Sequence, residues 1–338
     1  MLKRFICGLV WVTAACAPTA QHVAVNAAPA AACAVSGADR AWIERALDAW
    51  RFTSREITHI HVAGDFKAVF FDANCVLTSS NALTSANARG VTWTATPHSG
   101  TITLPSGEQM PAGVTSFTSA DEHQAYLVMS TPSVWRAGGV DNAGIGLETM
   151  MVAVLLHEGS HVVQAATYGA RIGALAERNH LPESFNDDSL QREFESNADF
   201  SASVVRETDL LFQAVAANDD ATAFRLAHEA RDLMKARAAR WFVGEKSYWL
   251  EAEDVWLTFE GSGQWAGYEW VIDPHGAAQP ASVAIPNFAR RSRWWSQNEG
   301  LGIALTLDRL GVRDWTRRAF GDGSETLLGM LDGALAAP

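Results

Sequence analysis

The hydrophobic period of this chain changes at Gly146. Between residues 57 and 131, short runs such as "KAVFFD", "VTWTAT", "GTITLPSG" and "QAYLVMS" are rich in β-branched and aromatic residues and are separated by Gly, Pro, Asn and Asp. That is the pattern of strands joined by turns. After Gly146, "LETMMVAVLLHEGSHVVQAATYG", "SLQREFESNADFSASVVRE", "TAFRLAHEARDLMKAR" and "SYWLEAEDVWLTFEG" carry apolar residues three and four apart, the period of helices. Strands followed by helices imply an α+β architecture rather than alternating βαβ units. One amphipathic helix precedes the strands: Trp42, Ala46, Ala49, Trp50 and Thr53 share a face, with Asp39 placed to cap it.

The start of the chain has a different character. Lys3 and Arg4 precede an apolar run, Phe5 to Ala15, too short to span a bilayer, which together resemble an export signal. Residues 1–16 are expected to be that signal, 17–37 an Ala-rich flexible linker, and 38–338 one domain with a β-rich part (38–140) and a helical part (141–338). Cys16 follows Thr13-Ala14-Ala15, so the signal is of either the lipoprotein type, with a lipid on Cys16, or the ordinary cleaved type. Export leaves Cys33 and Cys75, which either form a disulfide in an oxidising compartment or remain two buried thiols. A formal charge of −12 without any Lys/Arg-rich run excludes the clustered cations that nucleic acid requires.

The residues with the clearest chemistry are "LLHEGSHVVQ", 155 to 164. On a helix, positions i and i+4 lie about 5–6 Å apart on one face, so His157 and His161 can offer two imidazoles to one ion. Glu158 lies beside that face, where it can reach a water near the ion and act as a general base. Flanking apolar residues predict a buried helix, which Gly169 is placed to end.

A catalytic zinc site uses three protein ligands. In "REFESNADF", Glu195 and Asp199 stand at i and i+4 of a predicted helix that Asp188 would cap, so Glu195 is the expected third ligand and Asp199 the carboxylate supporting a histidine. Glu193, with Asn197 four residues on, is the rival.

His157-Glu158-Gly159-Ser160-His161 followed by Glu195-Ser196-Asn197-Ala198-Asp199 resembles the HExxH plus ExxxD signature of gluzincins, the thermolysin-like zinc metallopeptidases. The separation is 195 − 161 = 34 residues, and the match covers two helices of the chain. The resemblance implies a zincin-like fold, Zn2+ on His157, His161 and Glu195, Glu158 as the water-activating base, Asp199 bonded to His157, and a peptide or protein substrate. Phe194 departs from it, standing where thermolysin has an asparagine that supports the second histidine. No Gly-x-x-His follows His161, so the metzincin extension is absent. Glu260-Gly261 resembles the Glu-Gly pair on a late helix of several gluzincins.

Hydrolysis by these parts needs a donor for the oxyanion. Tyr168, Tyr248, Tyr268, His180 and His275 are candidates, Tyr268 first among them because several gluzincin aminopeptidases place theirs on a late helix. The strand 125–130 is expected either to pair with an extended peptide or to be an ordinary core strand. His59, His61, His98, His123, His180 and His228 lack partners at ligand spacing and are expected to be structural or solvent-facing. Trp249 and Trp256, seven apart, form a core-facing stripe, and most of the tryptophans of the second half are expected in packing. The glycines of "EGSGQWAG" are expected to permit close helix packing, and "EGSG" at 260–263 resembles "EGLG" at 299–302. Against the peptidase stand a zinc hydrolase of another amide and a zinc-binding protein without turnover.

Overall fold

A computed structural model describes residues 6–8, 33–60, 66–80, 91–120, 125–289 and 294–336. Cys16, the linker up to residue 32, His61 and His123 lie outside the described residues. Among the described helices none is long and apolar enough to cross a membrane.

The strands are β1 (Ile6–Gly8), β2 (Phe66–Phe71), β3 (Cys75–Ser79), β4 (Trp93–Pro97), β5 (Thr101–Thr103), β6 (Gln109–Pro111), β7 (Ser116–Ala120) and β8 (Ala125–Ser130). Six of them form one sheet in the order β1-β7-β8-β2-β3-β4, and β5-β6 is a separate hairpin. Only β2 and β8 pair in parallel; the other neighbours are antiparallel. Side chains alternate across the sheet. Val69, Phe71, Phe117, Tyr126 and Val128 form one core with Ile102 and Leu104 of the hairpin strand β5 and the residue after it, while Ala68, Phe70, Leu127 and Met129 belong to the larger core shared with the helices. The strand proposed as a peptide rail, β8, is held on both sides by β7 and β2, so it is the core strand of the two alternatives. The strand next to it, β7, borders the helices and pairs on its outer side with β1 among the described residues.

Between β1 and β2 runs α1 (Gly37–Phe52), followed by a π-turn at Thr53–Ile57; after β8 come α2 (Pro132–Ala137) and the long α3 (Leu147–Gln164). Ser36, not Asp39, caps α1: its hydroxyl accepts from Asp39 N. Asp39 is buried instead, its carboxylate accepting from Ser133 N of α2. Gly169 does not end α3 in the left-handed region. The chain continues through a π-turn, Ala165–Gly169, into α4 (Ala170–Arg178), with Gly169 itself at φ −57°. Cys33 and Cys75 form the disulfide, Cα–Cα 5.6 Å, tying the approach to α1 to β3.

The second half contains α5 (Ser189–Phe194), α6 (Ala198–Val215), α7 (Asp220–Trp241), α8 (Trp249–Ile272), α9 (Ala281–Phe288), α10 (Trp295–Arg309), α11 (Trp315–Ala319) and α12 (Leu327–Ala336). Along its middle α8 is buried on every side, as expected of a helix apolar all round. Trp249 and Trp256 lie in an aromatic core with Phe194, Phe200, Phe242 and Trp295, which bears out the packing role. Beside that core Arg237 is fully buried, bonded to Glu207 and Glu253, with Glu299 at 3.5 Å and the Phe200 ring 5.0 Å from its guanidinium carbon. The two EGxG segments meet: a Cβ at Gly261 would lie 2.4 Å from Gly300 C, and one at Gly300 2.4 Å from Leu257 O. Absence of side chains at both positions lets α8 and α10 touch backbone to backbone.

Candidate metal centre

His157 and His161 face α8 from successive turns of α3. Three contacts set the two helices side by side in opposite directions: Ala153 on Gly267, His157 on Gly263, and His161 stacked on Phe259 at 4.0 Å and 2° between rings. A Cβ at Gly263 would come within 2.8 Å of His157 Nδ1, so only glycine leaves the imidazole its place. Gln164, at the end of α3, donates from Nε2 to Ser262 Oγ and Ala319 O, both 2.9 Å.

This register puts Glu260 between the two histidines. Its Oε2 is 3.2 Å from His157 Nε2 and its Oε1 3.3 Å from His161 Nε2, and the two Nε2 atoms are 2.9 Å apart. All three residues are buried, their donor atoms lie within 4.8 Å of one another, and together they could hold a metal ion. Two imidazole nitrogens and a carboxylate turned toward one point are a donor set suited to a divalent ion.

The expected third ligand is therefore corrected. Glu195 is exposed and lies at the end of α5, and Asp199 is exposed on α6, paired with Arg240 Nη2 at 2.9 Å. The rival Glu193 pairs with Lys246. The i, i+4 relation fails because the helix breaks between them: the Asn197 side chain accepts from Phe200 N and starts a new helix. Phe194 and Phe200, stacked at 4.2 Å, turn inward, and the intervening acids turn out to water. The supporting carboxylate assigned to Asp199 goes with the ligand.

Glu158 is buried on the side of α3 that meets the sheet. Thr118 Oγ1 on β7 donates to Glu158 O at 2.7 Å and lies 3.2 Å from its Oε2; Ser116 Oγ donates to Oε1 at 3.4 Å. Residues 116 and 118 share the helix-facing side of β7, so strand alternation delivers both hydroxyls. Burial, with the charge of Glu260 adding to it, raises the Glu158 carboxyl to about 7 against the opposing pull of His157 and the two hydroxyls. At His157 burial disfavours the imidazolium, but the bond and charge of Glu260 and the charge of Glu158 outweigh it and the pKa is raised. His161 is lowered to about 4, chiefly by burial. Burial alone would raise Glu260; the two histidines overcome it and hold the carboxyl well below its usual range.

An opening leads to His157 from outside. Trp135, Ile145, Met150, Ala153, Val154, Phe288 and Trp294 give it an apolar wall, with Gln264, Asn287 and Gln297 as its polar groups.

Of the oxyanion candidates, Tyr168 donates its hydroxyl to Glu325 O and is engaged away from the centre. Tyr268 lies eight residues, about 12 Å of helix rise, beyond Glu260 and packs on Phe288. Tyr248 borders Phe185 and Trp249, and His275 borders Phe52. His180 is exposed at a left-handed position, φ 52°. The remaining described histidines bind locally: His59 to Arg55 O, His98 to Asp72 O, His228 to Asp232. Comparison with family models, curated proteins and solved structures returns no match.

Proposed function

We propose that this chain is an exported zinc-dependent hydrolase of peptide bonds, gluzincin-like in its HExxH helix, with Glu260 rather than Glu195 as third ligand. The observation that carries the proposal is the convergence of His157, His161 and Glu260 beside a buried Glu158.

The donor spacing fits zinc. Ligands about 2.05 Å from a tetrahedral ion stand about 3.3 Å apart, close to the 3.2 and 3.3 Å between Glu260 and the histidines. The histidine pair at 2.9 Å would open by a few tenths of an ångström. Three protein donors leave a fourth position free, which favours catalysis over the closed four-ligand site of a structural zinc. The opening along Trp135 and Met150 to His157 provides access.

When bound, such an ion supplies Lewis acidity, which acidifies water and polarises a carbonyl. The chain's own residues do the rest. His157, His161 and Glu260 hold the ion. Glu158, oriented by Thr118 and Ser116, takes a proton from the attacking water and passes it to the leaving amine; a carboxyl near pH 7 suits both tasks. An extended substrate has a place to lie. The outer edge of β7 accepts β1 in antiparallel register, Cys7 opposite Thr118, and β1 falls within the segment whose removal is expected on export. A peptide pairing there would pass the strand whose hydroxyls hold Glu158.

The test uses a peptide library and zinc analysis. Glu158→Gln should retain zinc and lose hydrolysis; Glu260→Ala should lose zinc; Glu195→Ala should do neither. Equal hydrolysis by wild type and Glu158→Gln, or loss of zinc in Glu195→Ala with retention in Glu260→Ala, would sink the proposal.

A further inference from the structure

Two glutamines line the opening that leads to His157, and the hydrolytic chemistry uses neither. Gln264 lies on α8 four residues after Glu260, so the two share a helix face about 5–6 Å apart, and it follows Gly263, the residue pressed against the His157 ring. Gln297 lies in the first turn of α10 and is 4% exposed. The two carboxamides are joined, Gln264 Nε2 donating to Gln297 Oε1 at 2.7 Å. That bond leaves a donor and an acceptor over. Gln297 Nε2 and Gln264 Oε1 have no partner among the described residues, and neither is sealed within protein. Turning both carboxamides over exchanges their roles and leaves the same offer, an NH2 group and a carbonyl oxygen.

The rest of the opening decides what can enter. Trp135, Met150 and Phe288 give it apolar faces, Asn287 is engaged through Nδ2 with Val283 O at 2.8 Å, and no Asp, Glu, Lys or Arg lines it among the described residues. A charged side chain would leave water there with no counter-ion in the lining, which is costly. A wholly apolar one would cover the glutamine pair and strand its free N–H and C=O groups, which is costly as well. The backbone of an extended substrate does not belong there either: on the hydrolytic reading its amides pair with β7, and no residue of the sheet lines the opening. What fits is a short apolar stem ending in a carboxamide, whose oxygen accepts from one glutamine while its N–H donates to the other.

We propose that Gln264 and Gln297 hold the side-chain carboxamide of a substrate glutamine or asparagine, so that the bond cut lies beside such a residue. The inference rests on the hydrolytic reading of the same centre. Mostly apolar pockets take their selectivity from a few placed polar groups, and a site built to hydrogen-bond its substrate rejects analogues without the partner far more strongly than an apolar pocket rejects a change of one methylene. Glutamate and methionine are the telling analogues, since both are close to glutamine in size. Glutamate trades the NH2 group for a charge, and methionine offers only a weak acceptor. The pair thus sets specificity by touching a substrate side chain; Glu158 remains the proton carrier.

The experiment uses alanine peptides blocked at both ends, in which one position, moved along the frame, carries glutamine, asparagine, glutamate or methionine. Wild type should cut beside glutamine or asparagine with kcat/KM at least tenfold above that for glutamate or methionine. Gln297→Leu should bring the ratio of carboxamide to methionine close to one, mainly through a higher KM on the carboxamide peptide. Zinc-loaded Glu158→Gln should bind the carboxamide peptide at least tenfold more tightly than the other two by calorimetry, a readout independent of turnover. Thermal melting and zinc content check the fold of Gln297→Leu. If it fails to fold, Gln264→Met, at a half-buried site, takes its place, and if neither folds the wild-type ratio and the calorimetry decide. Cleavage that favours methionine or glutamate, or favours none, overturns the role of the glutamine pair and leaves the hydrolase standing, as does a carboxamide preference that survives in folded Gln297→Leu. Preferential binding of the carboxamide peptide without any cleavage supports the pocket and removes the hydrolase. Neither preferential binding nor cleavage overturns both.

Discussion

Gly261→Ala tests the helix contact that positions Glu260. A methyl group there would lie 2.4 Å from Gly300 C and 2.6 Å from Gly300 Cα and O. Carbon atoms rest at about 3.5 Å or more, so α8 and α10 must part by about 1 Å. Backbone faces the new methyl, with no flexible side chain to yield. The cost falls at the upper end of overpacking, about 3 kcal/mol, and the better helix propensity of alanine returns about 1 kcal/mol. A net loss of about 2 kcal/mol lowers the melting temperature by about 3 °C in a chain of this size. Gly333→Ala, in α12 with nothing within 4 Å, is the control and should gain up to about 1 kcal/mol from propensity alone. Gly300→Ala should cost as much as Gly261→Ala, and the double variant less than their sum, because both relieve one contact. A parting of 1 Å also draws Glu260 from the histidines, and zinc affinity in a chelator competition should fall about 10–100-fold, as for other changes that misplace a ligand. If Gly261→Ala melts at or above wild type while Gly333→Ala behaves as described, the backbone-to-backbone crossing is wrong.

Three further outcomes follow from the buried polar groups and the disulfide. Burial raises the folded pKa of Glu253 and Glu299 above the unfolded value, near 4.3 for glutamate. Their contribution is thus fully present below that pH and is lost as pH rises through the folded values. Glu299→Gln should therefore flatten the fall in stability as pH rises above about 4, seen in urea midpoints, and an unchanged slope would exclude Glu299 as its source. Arg237→Met, which strands the carboxylates it pairs, should cost at least about 3–5 kcal/mol by urea unfolding; a smaller loss means that those acids are already neutral. Reduction of the Cys33–Cys75 bridge, which spans 42 residues, should cost up to about 4 kcal/mol by the loop-entropy relation, and an unchanged melting curve in dithiothreitol would show that the bridge contributes nothing.

The sequence shows the motif helix, the strand-then-helix order and the packing tryptophans because each depends on local period alone. The third ligand depends on more than period. Glu195 and Asp199 have the right spacing, yet Asn197 starts a new helix between them and the Phe194–Phe200 stack decides which way the segment faces. Glu260 carried its own signal: an acid in the middle of a helix apolar on all sides must meet a partner, and Gly261 and Gly263 beside it announce the close approach of other helices. Which strand forms the edge is a property of pairing order, invisible in the run "QAYLVMS".

The wide separation of the proposed ligands along the chain bears on when an ion can be held. His161 and Glu260 are 260 − 161 = 99 residues apart, and closing a loop of that length in a flexible chain costs about 4 kcal/mol. An unfolded chain offers an ion only the two neighbouring histidines. Glu260 stands beside them only when α8 lies back along α3. On the proposed reading, metal uptake follows folding, and a chelator should return the protein to a folded, metal-ready state, unlike a zinc finger, which forms only around its ion.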